Sequence, residues 1–281
     1  MHIAKLLNPK LDYVFKRIFG SAGNEKITKS FLEAITKENI TDIKLDCNPI
    51  TEKDLFDDKI GILDIKAKIN NNINCNIEMQ IVDRKNIEKR ILYYWSKMYT
   101  SSIKKGDDFD KLEKGIVVLL SDYNIDNLKE NNNYITKWQI REEKTHELIL
   151  TDVLEIYIIE LRKVSKDKKG DNSLKAWLEF INNPEEKSKM GDKEELIKAR
   201  EILEDMSKTK RERYLAEQRE KYIMDKHAIH AAGYDKGLQE GLQEGANKEK
   251  LEIAKNLKQQ NIDIKIIIKV TGLTKEEINN L

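Results

Sequence analysis

Cysteine is scarce in this chain. Only Cys47 and Cys75 occur, too few for a disulfide framework, so both read as packing residues. Histidine is nearly as rare. Of His2, His146, His227 and His230, only the last two are close in sequence. Without cysteine or a third histidine nearby, they read as part of a solvated helix face rather than a zinc site. No apolar run reaches the roughly 18 residues that would span a bilayer. The opening Met1-His2-Ile3-Ala4-Lys5 has no long apolar stretch behind it, as a signal peptide would require. The expectation is a soluble cytoplasmic protein with no membrane partner. An excess of one charge is also missing: 51 Lys+Arg against 50 Asp+Glu give a net charge of +1. That excludes a uniformly basic nucleic-acid binder and leaves room for local basic patches.

Charge itself is abundant. Charged residues make up 36% and hydrophobic ones 39%, against about 25% and 45–50% in typical domains. The core is therefore expected in only part of the chain. Apolar residues at 11, 14, 15, 18 and 19 have helical spacing, and a second helix is expected over 25–38. Residues 60–69 and 73–82 alternate and predict strands. A helix over 84–105, a buried strand at 115–120, and strands near 134–141, 147–150 and 153–161 complete an α/β unit with a mixed sheet. From about 165 the composition turns polar. A short helix around Trp177 and a highly charged helix over 191–226 follow. Glycine then recurs at 233, 237, 241 and 245. Helical segments near 247–259 and 263–270 come next, and a last helix opens at Thr274. The organisation read from this is a domain over 1–165, a charged helical region over 166–226 and a helical tail over 227–281.

The segment that carries chemistry is Ile60–Ile81. Asn70-Asn71-Asn72 favour a turn, because asparagine tolerates left-handed backbone angles. Strand alternation then puts Leu63, Ile65, Ala67, Ile69, Ile73, Cys75, Ile77, Met79 and Ile81 on one apolar face. Asp64, Lys66, Lys68, Asn74, Asn76, Glu78 and Gln80 share the other. Centring the turn on Asn71 sets Asp64 directly across from Glu78. Opposed like charges destabilise a hairpin, and a Mg²⁺ ion, which prefers oxygen and often takes one or two carboxylates, would neutralise the pair. An ordinary amphipathic hairpin with a solvated polar face is the competing reading.

Leu63-Asp64, the thirteen-residue interval, and Ile77-Glu78-Met79-Gln80 resemble the PD-(D/E)XK nucleases, and more narrowly the recombination-promoting nuclease and putative transposase family. Asn8–Lys16 is similar to that family's opening motif and Arg90–Tyr99 to its helix after the catalytic strands. The glycine repeat and helical tail are similar as well. The resemblance implies a restriction-endonuclease-like core followed by an α-helical C-terminal region. It implies Mg²⁺-dependent hydrolysis of DNA phosphodiester bonds, with Mn²⁺ as a possible substitute. Asp64, Glu78 and the Met79 carbonyl would hold the metal. Gln80, standing where the superfamily has lysine, would orient a water through its amide, and Lys66 is a candidate for the missing cation. Asp12, or Glu33, would add an acidic contact. For Asp12 a role at the helix start is an equal alternative. Lys16 falls within the opening motif and is taken with Asp12 as a nucleic-acid contact. Arg90, Tyr94 and Lys97 share one helix face and could meet the phosphate backbone, or form a solvated basic face. Trp95 and Met98 read as core.

Glycine costs about 1 kcal/mol relative to alanine in a helix. The repeat therefore reads either as a flexible linker or as a groove for close packing in a homodimer through the C-terminal helices. The segment 267–278 resembles the turn of a helix-turn-helix. Besides an active DNA endonuclease, two readings stay open: a weak or inactive nuclease fold acting as a DNA- or protein-binding module, and an RNA-directed nuclease.

Overall fold

The computed structural model describes residues 5–48, 64–83, 86–166, 172–186, 188 and 191–281. Leu63 and the start of the strand expected from residue 60, and the polar connector at 167–171, lie outside them. By internal contacts the chain forms two compact units, Met1–Ile223 and Met224–Leu281.

The first unit is α/β. Helices α1 (Asp12–Phe19) and α2 (Glu25–Thr36) come first, and among the described residues six strands follow: β1 (Ile43–Leu45), β2 (Ile65–Ile69), β3 (Ile73–Gln80), β4 (Lys114–Ser121), β5 (Ile135–Arg141) and β6 (Ile149–Glu160). They form one mixed sheet in the order β1-β2-β3-β4-β6-β5. The first three strands are antiparallel neighbours; β4 runs parallel to both β3 and β6. A parallel pair needs a crossover, and α3 (Ile87–Thr100) lies between β3 and β4 in sequence. Two expectations are corrected here. The strands expected at 147–150 and 153–161 are one twelve-residue strand, and β1 is a strand that the apolar periodicity did not flag.

Strand β4 is buried on both faces, as its near-continuous apolar sequence requires. Ile116, Val118 and Leu120 enter the larger core with α1, α2, α4 (Asn172–Asn182) and α5 (Glu194–Lys208). Val117 and Leu119 enter a smaller core beneath α3, with Ile87, Ile91, Trp95 and Met98. The α3–β4 approach is close. Trp95 Nε1 donates to the Gly115 carbonyl at 3.0 Å, and a Cβ added at Gly115 would lie 2.7 Å from that nitrogen and 3.0 Å from Met98 Cε.

The charged segment after residue 191 is two helices, α5 and α6 (Lys210–Gln259), which meet at Thr209. Leu196, Ala199, Leu203 and Met206 of α5, and Leu215 and Ala216 of α6, belong to the larger core. The first turns of α6 are tied to α1: Arg219 grips Asp12 with Nη2–Oδ2 at 2.5 Å, and Tyr13 donates to Glu212 at 2.6 Å.

In the second unit, Ala254, Ile267 and Ile278 form a small core with Leu257, Ile264 and Leu273. These residues come from the end of α6, from α7 (Ile264–Thr271) and α8 (Lys275–Asn279), and, for Leu273, from the link between the last two. Gly272, at φ 71°, closes α7, and Thr274 with Glu277 forms a capping box on α8. The glycine repeat is helical within α6, and an added Cβ at Gly233, Gly237, Gly241 or Gly245 would meet nothing within 4 Å. No described helix is long and apolar enough to cross a membrane.

Two outcomes are expected. Gly115→Ala should destabilise the fold by about 1–3 kcal/mol through overpacking against Trp95, read as a lower urea midpoint. A chain ending at Ile223 should keep a cooperative unfolding transition by circular dichroism, whereas one ending at residue 171 should lose it, because α4 and α5 complete the larger core.

Candidate active site

The β2–β3 hairpin has the register that a turn centred on Asn71 demands. Ile65 pairs with Ile77, Ala67 with Cys75 and Ile69 with Ile73, and Asn70 and Asn71 take positive φ of 50° and 66°. Asp64 stands one residue before β2, and continuing the register sets it opposite Glu78. Ile65, Ala67, Ile69, Cys75, Ile77 and Met79 face the larger core.

The inner part of the polar face, at Asn76 and Glu78, is shut away from water, while Lys66 at its margin is exposed. Glu78 is 1% exposed and Asn76 6%. Both are held under the side of the helix that carries Arg90. The Glu78 Oε1 atom accepts from Gln80 Nε2 and lies 2.8 Å from Arg90 Nη2. Among the described residues its other oxygen, Oε2, is buried with no hydrogen-bond partner. Asp64 is half-buried and lines the same cleft as the Asn76 side chain. Its carboxyl is pushed up to about 7, first by burial and then by the Glu78 charge, against the opposing pull of Arg90, the nearby Asn76 amide and Lys66.

The Met79 side chain points into the core, so only its backbone can serve the site. The Gln80 carbonyl accepts from the Asp122 amide on the β4 side. Successive strand carbonyls alternate edges, which turns the Met79 carbonyl toward the edge where β2 begins at Asp64. The donor set is thus two carboxylates and a carbonyl, all oxygen, with one buried carboxylate oxygen unsatisfied. That suits a hard divalent cation. Among the described residues no cluster of three or more His, Cys, Asp or Glu could hold an ion, so the acidic pair has no third carboxylate beside it.

A cleft of about 670 Å³ runs from Asp64 along the polar face, between β1–β3 and α3. Lys44, Lys66, Lys68, Tyr94 and Lys97 line it, with Asp46 as a further acidic residue. Lys68 is paired with Glu113 at 2.6 Å, and Lys97 lies over the Tyr93 ring at 5.2 Å.

The structure thus brings Asp64, Lys66, Tyr94 and Lys97 to one cleft, and Glu78, Gln80 and Arg90 to one buried cluster beside it. Arg90 meets Glu78 and stacks over Tyr94 at 5.2 Å, so Arg90 rather than Lys66 is the cation in contact with Glu78. Asp12 is bound by Arg219. Lys16 is buried beside a separate pocket of about 160 Å³ with Gly20 and Cys47. Neither lines the cleft. Lys44 and Lys68 do line it and were not singled out from sequence. The even-numbered face of the hairpin already contained Lys68.

The raised Asp64 carboxyl has a pH signature. Between about pH 4 and 7 the folded protein keeps a proton that the unfolded chain has released, so the metal-free fold loses stability as pH rises through that window. In EDTA, Asp64→Asn should therefore raise the urea midpoint at pH 8 and leave it nearly unchanged at pH 4.

A family model described as PD-(D/E)XK nuclease family transposase matches residues 9–232, which takes in every strand and ends just before the first glycine of the repeat. Comparison with curated proteins and with solved structures returned no match. With the mixed sheet, the hairpin and the acidic pair all inside the matched span, the chain belongs to the PD-(D/E)XK nuclease family transposases.

Proposed function

We propose that this chain is a Mg²⁺-dependent endonuclease that hydrolyses DNA phosphodiester bonds, of the recombination-promoting type. The observation that carries the reading is the buried Glu78 carboxylate, whose Oε2 has no partner among the described residues, facing an Asp64 whose carboxyl its charge helps to raise. Two opposed carboxylates at the end of a lysine-lined cleft are poorly explained by folding alone, since leaving a buried charged acceptor unsatisfied costs several kcal/mol.

Asp64, Glu78 and the Met79 carbonyl would hold the divalent ion. When bound, the ion supplies an acidified water and positive charge at the phosphate. The remaining work falls to the chain's own side chains. Gln80 is neutral and reaches the carboxylate of Glu78, so its amide fixes that carboxylate and can orient a water beside it. Arg90 supplies the cation that the motif position lacks, and releasing Glu78 would turn its guanidinium toward a phosphate oxygen. Lys44, Lys66, Lys68 and Lys97 line the path of a nucleic-acid backbone and would bind it in a salt-dependent way.

Plasmid cleavage with Mg²⁺ tests the reading. Wild type should nick or linearise DNA with Mg²⁺ and stop on adding EDTA. Asp64→Ala and Glu78→Ala should each abolish cleavage while keeping the wild-type circular dichroism spectrum. Wild-type rates in either variant would reject the site, and cleavage of a matched RNA but not DNA would reassign the substrate.

A further inference from the structure

Among the described residues no third carboxylate joins the acidic pair in a metal-holding cluster, yet a third oxygen is present on the same face. Asn76 sits on β3 two residues before Glu78, so both side chains project from one side of the strand, about 7 Å apart along it. The residue is 94% buried by its 6% exposure and lines the cleft beside Asp64. Its Oδ1 is buried with no hydrogen-bond partner among the described residues.

An asparagine in this position is not a good structural choice. Burying an amide oxygen without a partner costs about 1–3 kcal/mol. The neighbouring positions on the same face, Asn74 and Lys68, meet their needs by sharing Glu113. Asn76 Oδ1 and Glu78 Oε2 are both buried oxygens without partners, on alternate residues of one strand, next to a carboxylate. The simplest common partner is a cation. Amide carbonyls are ordinary ligands for hard divalent ions.

We propose that Asn76 is a metal ligand, donating Oδ1 to the ion held by Asp64 and Glu78. This rests on the metal-dependent reading above and adds a neutral oxygen ligand to the all-oxygen donor set.

Metal binding by the full chain, without any nucleic acid, tests it. Free Mn²⁺ is counted by electron paramagnetic resonance during titration of wild type, Asp64→Ala, Glu78→Ala and Asn76→Ala, each checked by circular dichroism. Asn76→Ala should weaken Mn²⁺ binding by about tenfold or more. A residue that merely holds Asp64 in place could produce a similar loss, so a second variant decides. Asn76→Cys replaces the oxygen with a soft sulfur. On titration with Cd²⁺ it should gain an ultraviolet thiolate-to-metal charge-transfer band. With Cys47, a half-buried free thiol, replaced by serine throughout, that band should be absent when Asn76 is retained, since Cys75 faces the opposite side of the strand, and absent from Asn76→Cys/Glu78→Ala. Unchanged Mn²⁺ affinity in Asn76→Ala overturns the assignment, and so does Asn76→Cys without the band at saturating Cd²⁺. If Asp64→Ala and Glu78→Ala lose Mn²⁺ while Asn76→Ala does not, only the role of Asn76 falls. If wild type binds no Mn²⁺, the metal-dependent reading falls with it.

Discussion

Everything at the site depends on a carboxylate that the fold has shut away from water. Glu78 is on the polar face of a strand whose other face enters the larger core, and its desolvation has to be offset locally. The chain offers one cation and one amide, Arg90 and Gln80, and both go to the same oxygen. Half of the carboxylate is satisfied and half is not. That asymmetry distinguishes a poised site from a structural ion pair. The contrast within the molecule is Glu160, equally buried, whose two oxygens are both used, one by the Ile125 amide and one by Lys163. Lys163 in turn fastens the Leu128 and Asn131 carbonyls. Glu160 holds a loop in place, while Glu78 keeps an oxygen in reserve.

The second dependence is on α3. Its apolar positions, Ile87, Ile91, Trp95 and Met98, need a surface, and β4 with β6 provides one. Docking there carries Arg90 onto Glu78 and Tyr94 and Lys97 onto the cleft as a rigid set. The closeness of that docking is fixed by the missing side chain at Gly115. Packing and chemistry therefore share a helix, its apolar side serving the fold and its basic side the site.

How far the sequence reaches follows the range of the interactions. The hairpin register was legible because alternation and the asparagine turn are local, and the sheet class followed from the strand pattern. Strand β1 was not, since Ile43-Lys44-Leu45 is too short to show a period. The two strands expected around Thr151-Asp152 read as separate because those residues interrupt the apolar pattern, yet the backbone passes straight through them in β6. The solvated look of 191–226 hid a stripe. Leu196, Ala199, Leu203 and Met206 recur at helical spacing among many charges, and they fill the core. The polar face of the hairpin was legible as a set of residues, but its burial was not, because nothing near residue 78 says that a helix ten residues later will lie across it. For the same reason the partner of Arg90 could only be found in three dimensions, and Asn76 looked like one polar residue among several.

The tryptophans are distributed in a way that has an optical consequence. Trp177 is sealed among Phe19, Phe31 and Phe180 in the larger core. Trp138 is 46% exposed on edge strand β5. Trp95 lies between, its indole hydrogen-bonded to Gly115 and stacked on Tyr99 at 4.8 Å, on the helix that forms one wall of the cleft. Intrinsic fluorescence from this chain is accordingly a sum of three colours, blue from the core, red from the sheet edge and an intermediate emission from α3. Only the last originates on the wall that a bound nucleic acid would touch, so the molecule carries its own lamp beside the cleft and two others that stay indifferent to what enters it.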